Sequence, residues 1–341
     1  MSSEVRSRTG PSPASWPQVR FAPRRLGHFN LWVGNLEESH HFYRDVCGLE
    51  LVFDEPGVEA RFYSNGNSHH DLALMQASER EFSGRDGHRQ VAASRGRFPG
   101  LNHLAFEMAS EADLVAAIER SRETGFDVER TVDHQISRSV YIADPDSFTL
   151  ELYADAAGSF LERYQKLEGQ LLTELWDPFS TAPSASENYE SEPVQLSVDG
   201  ALLTPLRAAH ATLVVSDLAR SIDFYTSVVG LELVRGGAGE PGAVLAGRLG
   251  LPDLLLLPAR REPAHLHHIT FELSDDPVAV EAALSAMRHA GVAMVRTIES
   301  EARRGFVVRD PDGVLVEFAT SVTVGPKQGD SISEDDWTFL V

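Results

Sequence analysis

Two histidines and a glutamate, His28, His103 and Glu151, recur in the same order as His210, His268 and Glu317. Two neutral imidazoles and one carboxylate can grip a divalent cation on one side and leave several of its positions open. A non-haem Fe(II) oxygenase needs that arrangement to hold a substrate and O₂ together. A single histidine is more often structural than catalytic, so His40, His41, His88 and His289 are read as surface or packing residues. A triad that occurs twice at matching places is another matter, and it sets the architecture as well as the chemistry.

The elements that must position these residues follow from aligning the chain on itself. Residues 28–36 match 210–218, and each stretch leads into a helix ending in Phe-Tyr (Phe42-Tyr43, Phe224-Tyr225) and then a Gly-Leu-Glu-Leu run. Residues 102–107 match 267–272, and residues 144–151 match 310–317. The first half carries extra chain between its two histidines, assigned to residues 79–100. Apolar residues alternate at Phe29, Leu31 and Val33, as in a half-buried strand. They recur at helical spacing in Leu114, Ala117 and Ile118 and in Val280, Ala283, Leu284 and Met287. Asp144 and Asp310 open Asp-Pro-Asp turns just before a last strand and are read as turn formers. The fold expected is α+β: four βαβββ units forming two curved-sheet domains with helices outside. Strand period puts His28, Asn30 and Trp32 on one face, opposite Phe29, Leu31 and Val33, so the ligands should converge in the hollow of the sheet.

The expected organisation is a flexible N-terminus over residues 1–23, a first and catalytic domain over 24–155, a helix and linker over 156–206, a second domain over 207–322 and a tail over 323–341. A helix is expected from residue 160 to 176 and a solvated linker over 181–193. The end of the tail, residues 337–341, is apolar enough to dock or to contact a partner. The Gly236-Gly237 run is a loop, because no Lys-Ser/Thr follows it to open a phosphate-binding helix.

Composition narrows the function. A net charge of −21 argues against nucleic-acid binding. One cysteine, Cys47, excludes an intramolecular disulfide framework and fits a reducing cytoplasm. The absence of a secretory or membrane-spanning apolar run adds to the expectation of a cytoplasmic protein that binds no membrane.

Four such units with His, His and Glu on corresponding strands resemble the vicinal oxygen chelate superfamily, the fold of glyoxalase I, bleomycin-type resistance proteins and type I extradiol dioxygenases. The resemblance covers roughly residues 24–155 and 207–320. Within that superfamily the first half is most similar to an extradiol ring-cleaving dioxygenase. Those enzymes carry a His-His pair closing the first metal-bearing unit, here His69-His70 before Asp71, and a tyrosine ten positions before the glutamate, here Tyr141. Residues 133–137, containing His134, resemble the segment that leads to that tyrosine. The resemblance implies that His70 is the acid-base residue and that His134 and Tyr141 position substrate and polarise its oxygens.

In the second half Val307 stands where the first has Tyr141, and residues 250–256 contain no histidine. Many two-domain extradiol enzymes use the C-terminal half; here the reactive residues lie in the first. His210, His268 and Glu317 stay open as either a second metal site or a relic. The expected activity is cleavage of a small aromatic diol by O₂ with Fe(II), or alternatively Mn(II), in aromatic hydrocarbon catabolism, by a homo-oligomer. Two further readings remain: a glyoxalase-type isomerase or lyase using a Lewis-acid metal without O₂, and a hydroquinone-cleaving enzyme whose site joins the outer units, pairing His28 with His268 and Glu317.

Overall fold

The computed structural model describes residues 15–55, 57–93, 96–167, 170–300, 303–321 and 337–340. Among the described residues, nineteen strands and five helices give an α+β fold of two curled sheets. The first sheet takes β1 (Arg25–Val33), β2 (Glu50–Glu55), β3 (Ala60–Ser64) and β4 (Leu72–Gln76). It continues, after the small hairpin β5 (Phe82–Ser83) and β6 (Arg89–Val91), with β7 (Gly100–Glu107), β8 (Arg130–Asp133), β9 (Ser137–Ala143), β10 (Thr149–Asp155) and β11 (Glu174–Leu175). Its spatial order is β11-β8-β9-β10-β7-β1-β4-β3-β2. The second sheet repeats the plan with β12 (Arg207–Val215), β13 (Glu232–Gly236), β14 (Ala243–Ala246), β15 (Pro252–Pro258), β16 (His265–Glu272), β17 (Met294–Glu299), β18 (Arg304–Arg309) and β19 (Leu315–Ala319), ordered β13-β14-β15-β12-β16-β19-β18-β17. The expected pairing of units within each half is therefore the one formed.

Helices α1 (Leu36–His40), α2 (Glu111–Thr124), α3 (Phe160–Lys166), α4 (Leu218–Phe224) and α5 (Pro277–His289) connect these strands. Leu114, Ala117 and Ile118 of α2, and Val280, Leu284 and Met287 of α5, bury the stripe that their spacing promised. The aliphatic face of β1 does more than meet helices. Phe29 stands edge-on to Phe271 of β16 at 5.5 Å, so one apolar core runs through both halves. With that face committed to the core, the histidine-bearing face can turn only into the hollow.

The repeated motifs fasten the halves to each other. Each of α1 and α4 runs on into a wider π-helical turn, His41–Val46 and Tyr225–Val229. Those turns point Tyr43 at Asp310 and Tyr225 at Asp144, each pair at 2.9 Å. Asp144 and Asp310 form their turns as expected, each accepting two backbone N–H groups through Oδ1, and spend Oδ2 on the tyrosine of the other half. A second reciprocal pair links Asp71 to the Ala208 amide at 2.9 Å and Asp253 to the Leu26 amide at 2.7 Å. Gly230 is held at φ 83°, where a side chain would meet the backbone of Ala22, so glycine is required where the N-terminal segment crosses.

Three expectations are corrected. Residues 1–14 lie outside the described residues, but part of 15–23 packs on the second half: Val19 and Phe21 are buried and the backbone of Arg20, Phe21 and Ala22 bonds to residues 227–229. The apolar spacing over 160–176 gives a helix only as far as Lys166; beyond it Leu172 packs into the first hollow and Glu174–Leu175 adds an edge strand. Residues 79–100 are not bare loop, since they hold the β5–β6 hairpin. Most of the tail also lies outside the described residues. Its end does dock, with Trp337, Phe339 and Leu340 buried against the second sheet.

Candidate metal centre

His28, His103 and Glu151 sit on β1, β7 and β10, three strands that are hydrogen-bonded neighbours in the order β10-β7-β1. Irregularities in the β1–β7 pairing precede His28 and follow Asn30. One nitrogen from each imidazole and one carboxylate oxygen come within 4.8 Å of one another, all three residues being buried. His103 Nε2 lies 2.9 Å and His28 Nε2 3.4 Å from Glu151 Oε2. His103 Nε2 nevertheless makes no hydrogen bond, and neither does the buried His28 Nδ1. Buried polar atoms are rarely left so, and an unpaired imidazole nitrogen aimed at a carboxylate is what a cation would satisfy. The donor set fits a divalent metal.

Electrostatics favour the ligand forms. Burial lowers the His28 pKa to about 3, keeping its ring neutral with a lone pair for a metal. Burial alone would raise the Glu151 carboxyl, but the imidazoles of His103 and His28 hold it well below its usual range, ionised. Ser139 Oγ donates to Glu151 Oε1 at 2.5 Å and fixes the carboxylate, while His103 Nδ1 faces Asn102 Oδ1 at 3.3 Å. These contacts orient the ligands from behind, as metal sites require.

The three residues assigned to substrate handling converge on the same cavity. His70 lies against His28 with ring centroids 3.8 Å apart and planes tilted by 39°, and its Nδ1 is 3.3 Å from the Tyr164 hydroxyl. Burial pushes its pKa well below the usual imidazole value. Tyr141 faces Glu151 directly in the β9–β10 register, and its hydroxyl is 3.1 Å from His134 Nε2. Burial and the Glu151 charge raise its pKa well above 10, so it remains a hydroxyl donor. His134 is held by a tight turn in which Gln135 takes φ 67° and bonds back to Asp133; burial lowers its pKa to about 4. His69 belongs to a further possible cluster with His28 and His70, but Asp155 takes its Nδ1 at 2.6 Å.

Sequence reading missed Ser139, Tyr164, Asp155 and Arg130, whose guanidinium lies 4.4 Å over the Tyr141 ring. Ser139 shares a strand face with Tyr141, two residues on, and was discoverable by alternation. Tyr164 comes from the segment between the halves, where nothing local marks it. That segment and the β5–β6 hairpin roof the hollow: Tyr164, Leu167, Leu172, Phe82 and Val91 pack with Trp32, Phe62 and Met75. Glu55, raised by burial to about 7, lines the cavity beside them and accepts the Leu172 amide at 2.7 Å.

His210, His268 and Glu317 also converge, on β12, β16 and β19. Among the described residues no cluster mixes the halves, so the arrangement joining His28 with His268 and Glu317 is not formed.

The family model for the Glyoxalase/Bleomycin resistance protein/Dioxygenase superfamily matches residues 25–152 and 207–318. A catechol-2,3-dioxygenase of Bacillus subtilis is 26% identical over 301 residues, covering 86% of this chain and 96% of that protein. Homoprotocatechuate 2,3-dioxygenase of Arthrobacter globiformis superposes with a TM-score of 0.60 at 17% identity, over 94% of this chain and 85% of the other. A Mn(II)-bound glyoxalase of Novosphingobium aromaticivorans gives 0.61 at 15% identity, over 89% and 83%. The two structural likenesses speak to the fold.

Proposed function

The chain belongs to the glyoxalase/bleomycin resistance protein/dioxygenase superfamily, and on that premise we propose that it is an extradiol dioxygenase that opens the ring of a catechol-type substrate with O₂, using Fe(II) held by His28, His103 and Glu151. The observation that carries this reading is the meeting of His70, His134 and Tyr141 over one triad. An isomerase needs the metal ligands and a base; it has no evident use for three further proton-handling groups around them. The likeness to a catechol-2,3-dioxygenase over most of both chains supports the same class.

O₂ is a triplet and reacts slowly with singlet organic molecules, and a bound redox metal supplies the path by which electrons pass between diol and O₂. The rest is the work of side chains. Tyr141 and His134 hydrogen-bond the diol oxygen and hold the ring in one orientation. His70 lines the cavity, and with Nδ1 facing Tyr164 its Nε2 is the nitrogen left to serve the substrate. Neutral at working pH, it accepts a proton from the diol and returns it to the oxygen that is reduced, base then acid. The apolar walls, Trp32, Phe62, Ile136 and Leu172 among them, sandwich the aromatic ring and keep water from the reacting face.

Stopped-flow mixing of the Fe(II)-loaded enzyme with catechols in aerated buffer tests the reading. Oxygen consumption matched by a yellow ring-opened product is expected. Conversion of a hemithioacetal without O₂ consumption would assign the glyoxalase-type isomerase instead. Loading with Mn(II) in parallel decides between the two metals.

A further inference from the structure

The second triad has the same ligand types on matching strands, yet the atoms around it are different. Register pairs Glu151 with Ala105 and Glu317 with Thr270, so a threonine hydroxyl enters the second cluster where the first has a methyl group. Thr270 Oγ1 donates to Glu317 Oε2 at 2.7 Å and therefore accepts from His210 Nε2 at 3.1 Å. That places a proton on the nitrogen a metal would need. His268 Nε2 lies 3.0 Å from Glu317 Oε2, and its Nδ1 is 2.8 Å from His267 Nδ1.

The cation position itself has an occupant. Arg303, at the place Ser137 takes in the first half, has its buried guanidinium 2.9 Å from Glu317 Oε1, an ionic contact not angled as a hydrogen bond. The same nitrogen donates to the Phe339 carbonyl. Gly305 replaces Ser139, the residue that fixes the first carboxylate. Phe339 lies over His268, with ring centres 5.2 Å apart and planes 23° apart, and packs on Val307 where the first half has Tyr141. The cavity left beside His210 is about 20 Å³, against about 70 Å³ at the first triad. The smaller has room for about one water, which needs ~10–15 Å³ of this measure. A divalent ion here would stand beside a buried guanidinium, two like charges in a medium that screens them poorly. Displacing Arg303 would strand its charge in the interior.

These residues do not fit a metal. We infer that the second His/His/Glu cluster is a metal-excluding structural core, in which Arg303 takes the cation's place and the C-terminal Phe339 seals it, so that each chain carries one metal ion. This rests on packing at the second cluster and holds whatever reaction the first one performs.

The full-length protein, stripped of metal and titrated anaerobically with Co(II), reads the number of sites by elemental analysis and by ligand-field absorption. One tight equivalent is expected, lost in Glu151→Ala and kept in His268→Ala. Two equivalents, or one that follows His268 and not Glu151, would overturn the inference. A Thr270→Ala/Arg303→Ser/Phe339→Ala variant gives the second half the first half's residues at positions 270 and 303 and removes the seal. With its far-UV circular dichroism intact, it should gain a second equivalent; remaining at one would overturn the role assigned to Thr270 and Arg303.

Discussion

The two hollows of this molecule start from the same strands and the same three side chains and end as opposites. In the first, the covering chain stands off: α3 and the β5–β6 hairpin pack above the apolar wall and leave a cavity lined by His70, His134 and Tyr141. In the second, the C-terminal residues descend onto the ligands, and an arginine from β18's approach completes the charge balance. A metal-ligand triad is therefore a necessary pattern and an insufficient one. What decides its use is whether the surrounding residues leave the donor atoms unsatisfied.

The sharpest way to break that comparison is to make the same change in each hollow. Glu151→Ala should abolish bound metal and turnover together while the fold persists, read by metal content and steady-state rate. Glu317→Ala should instead strand Arg303 and cost about 3–5 kcal/mol of stability, read by urea unfolding, with metal at the first site retained. If Glu317→Ala removed activity at unchanged stability, the roles assigned to the halves would be reversed. Next in size, His70→Ala should keep the metal and lower kcat about 10²–10⁴-fold, the range of general acid-base catalysis.

A pH experiment sharpens the electrostatic side. Burial lowers His134 to about 4 in the folded protein, whereas an unfolded chain protonates the same ring near 6.5. A lowered folded pKa means that the stability His134 contributes is complete above pH 6.5 and is lost as pH falls towards 4. The unfolding free energy of metal-free protein relative to a His134→Gln variant should thus shrink over that window, by up to about 3 kcal/mol. A constant difference would mean that His134 is solvated. The smallest effect is expected from Tyr164→Phe. It removes the hydroxyl facing His70 Nδ1, and should lower kcat about tenfold, equivalent to about 1.4 kcal/mol, without changing metal content. An equal loss in metal content would make Tyr164 a packing residue only.

Much of this was legible in the chain because duplication and strand period are local signals. The triads, their shared face and the turns at Asp144 and Asp310 follow from matched segments and alternation, whereas His70, His134 and Tyr141, which line one cavity, were marked by the resemblance to extradiol dioxygenases. What escaped was set by distant contacts. Nothing near Tyr43 announces Asp310, and nothing near Tyr164 announces His70, because each pair closes across many residues of chain. The over-long helix after Phe160 has a similar cause: its apolar spacing serves the roof of the hollow, where Leu172 joins the apolar cluster that includes Val58 and Ala60. Arg303 carries no local signal, because its meaning depends on register with Glu317.

Isotope labelling of the product tests the central claim most directly. The Fe(II)-loaded enzyme is given a catechol under ¹⁸O₂ and the product is examined by mass spectrometry, with the Glu151→Ala variant as control. Ring opening at the His28/His103/Glu151 site predicts a ring-cleaved product carrying oxygen from O₂, and none from the variant. A product isomeric with its substrate and free of label, or labelled product from the variant, would contradict the account.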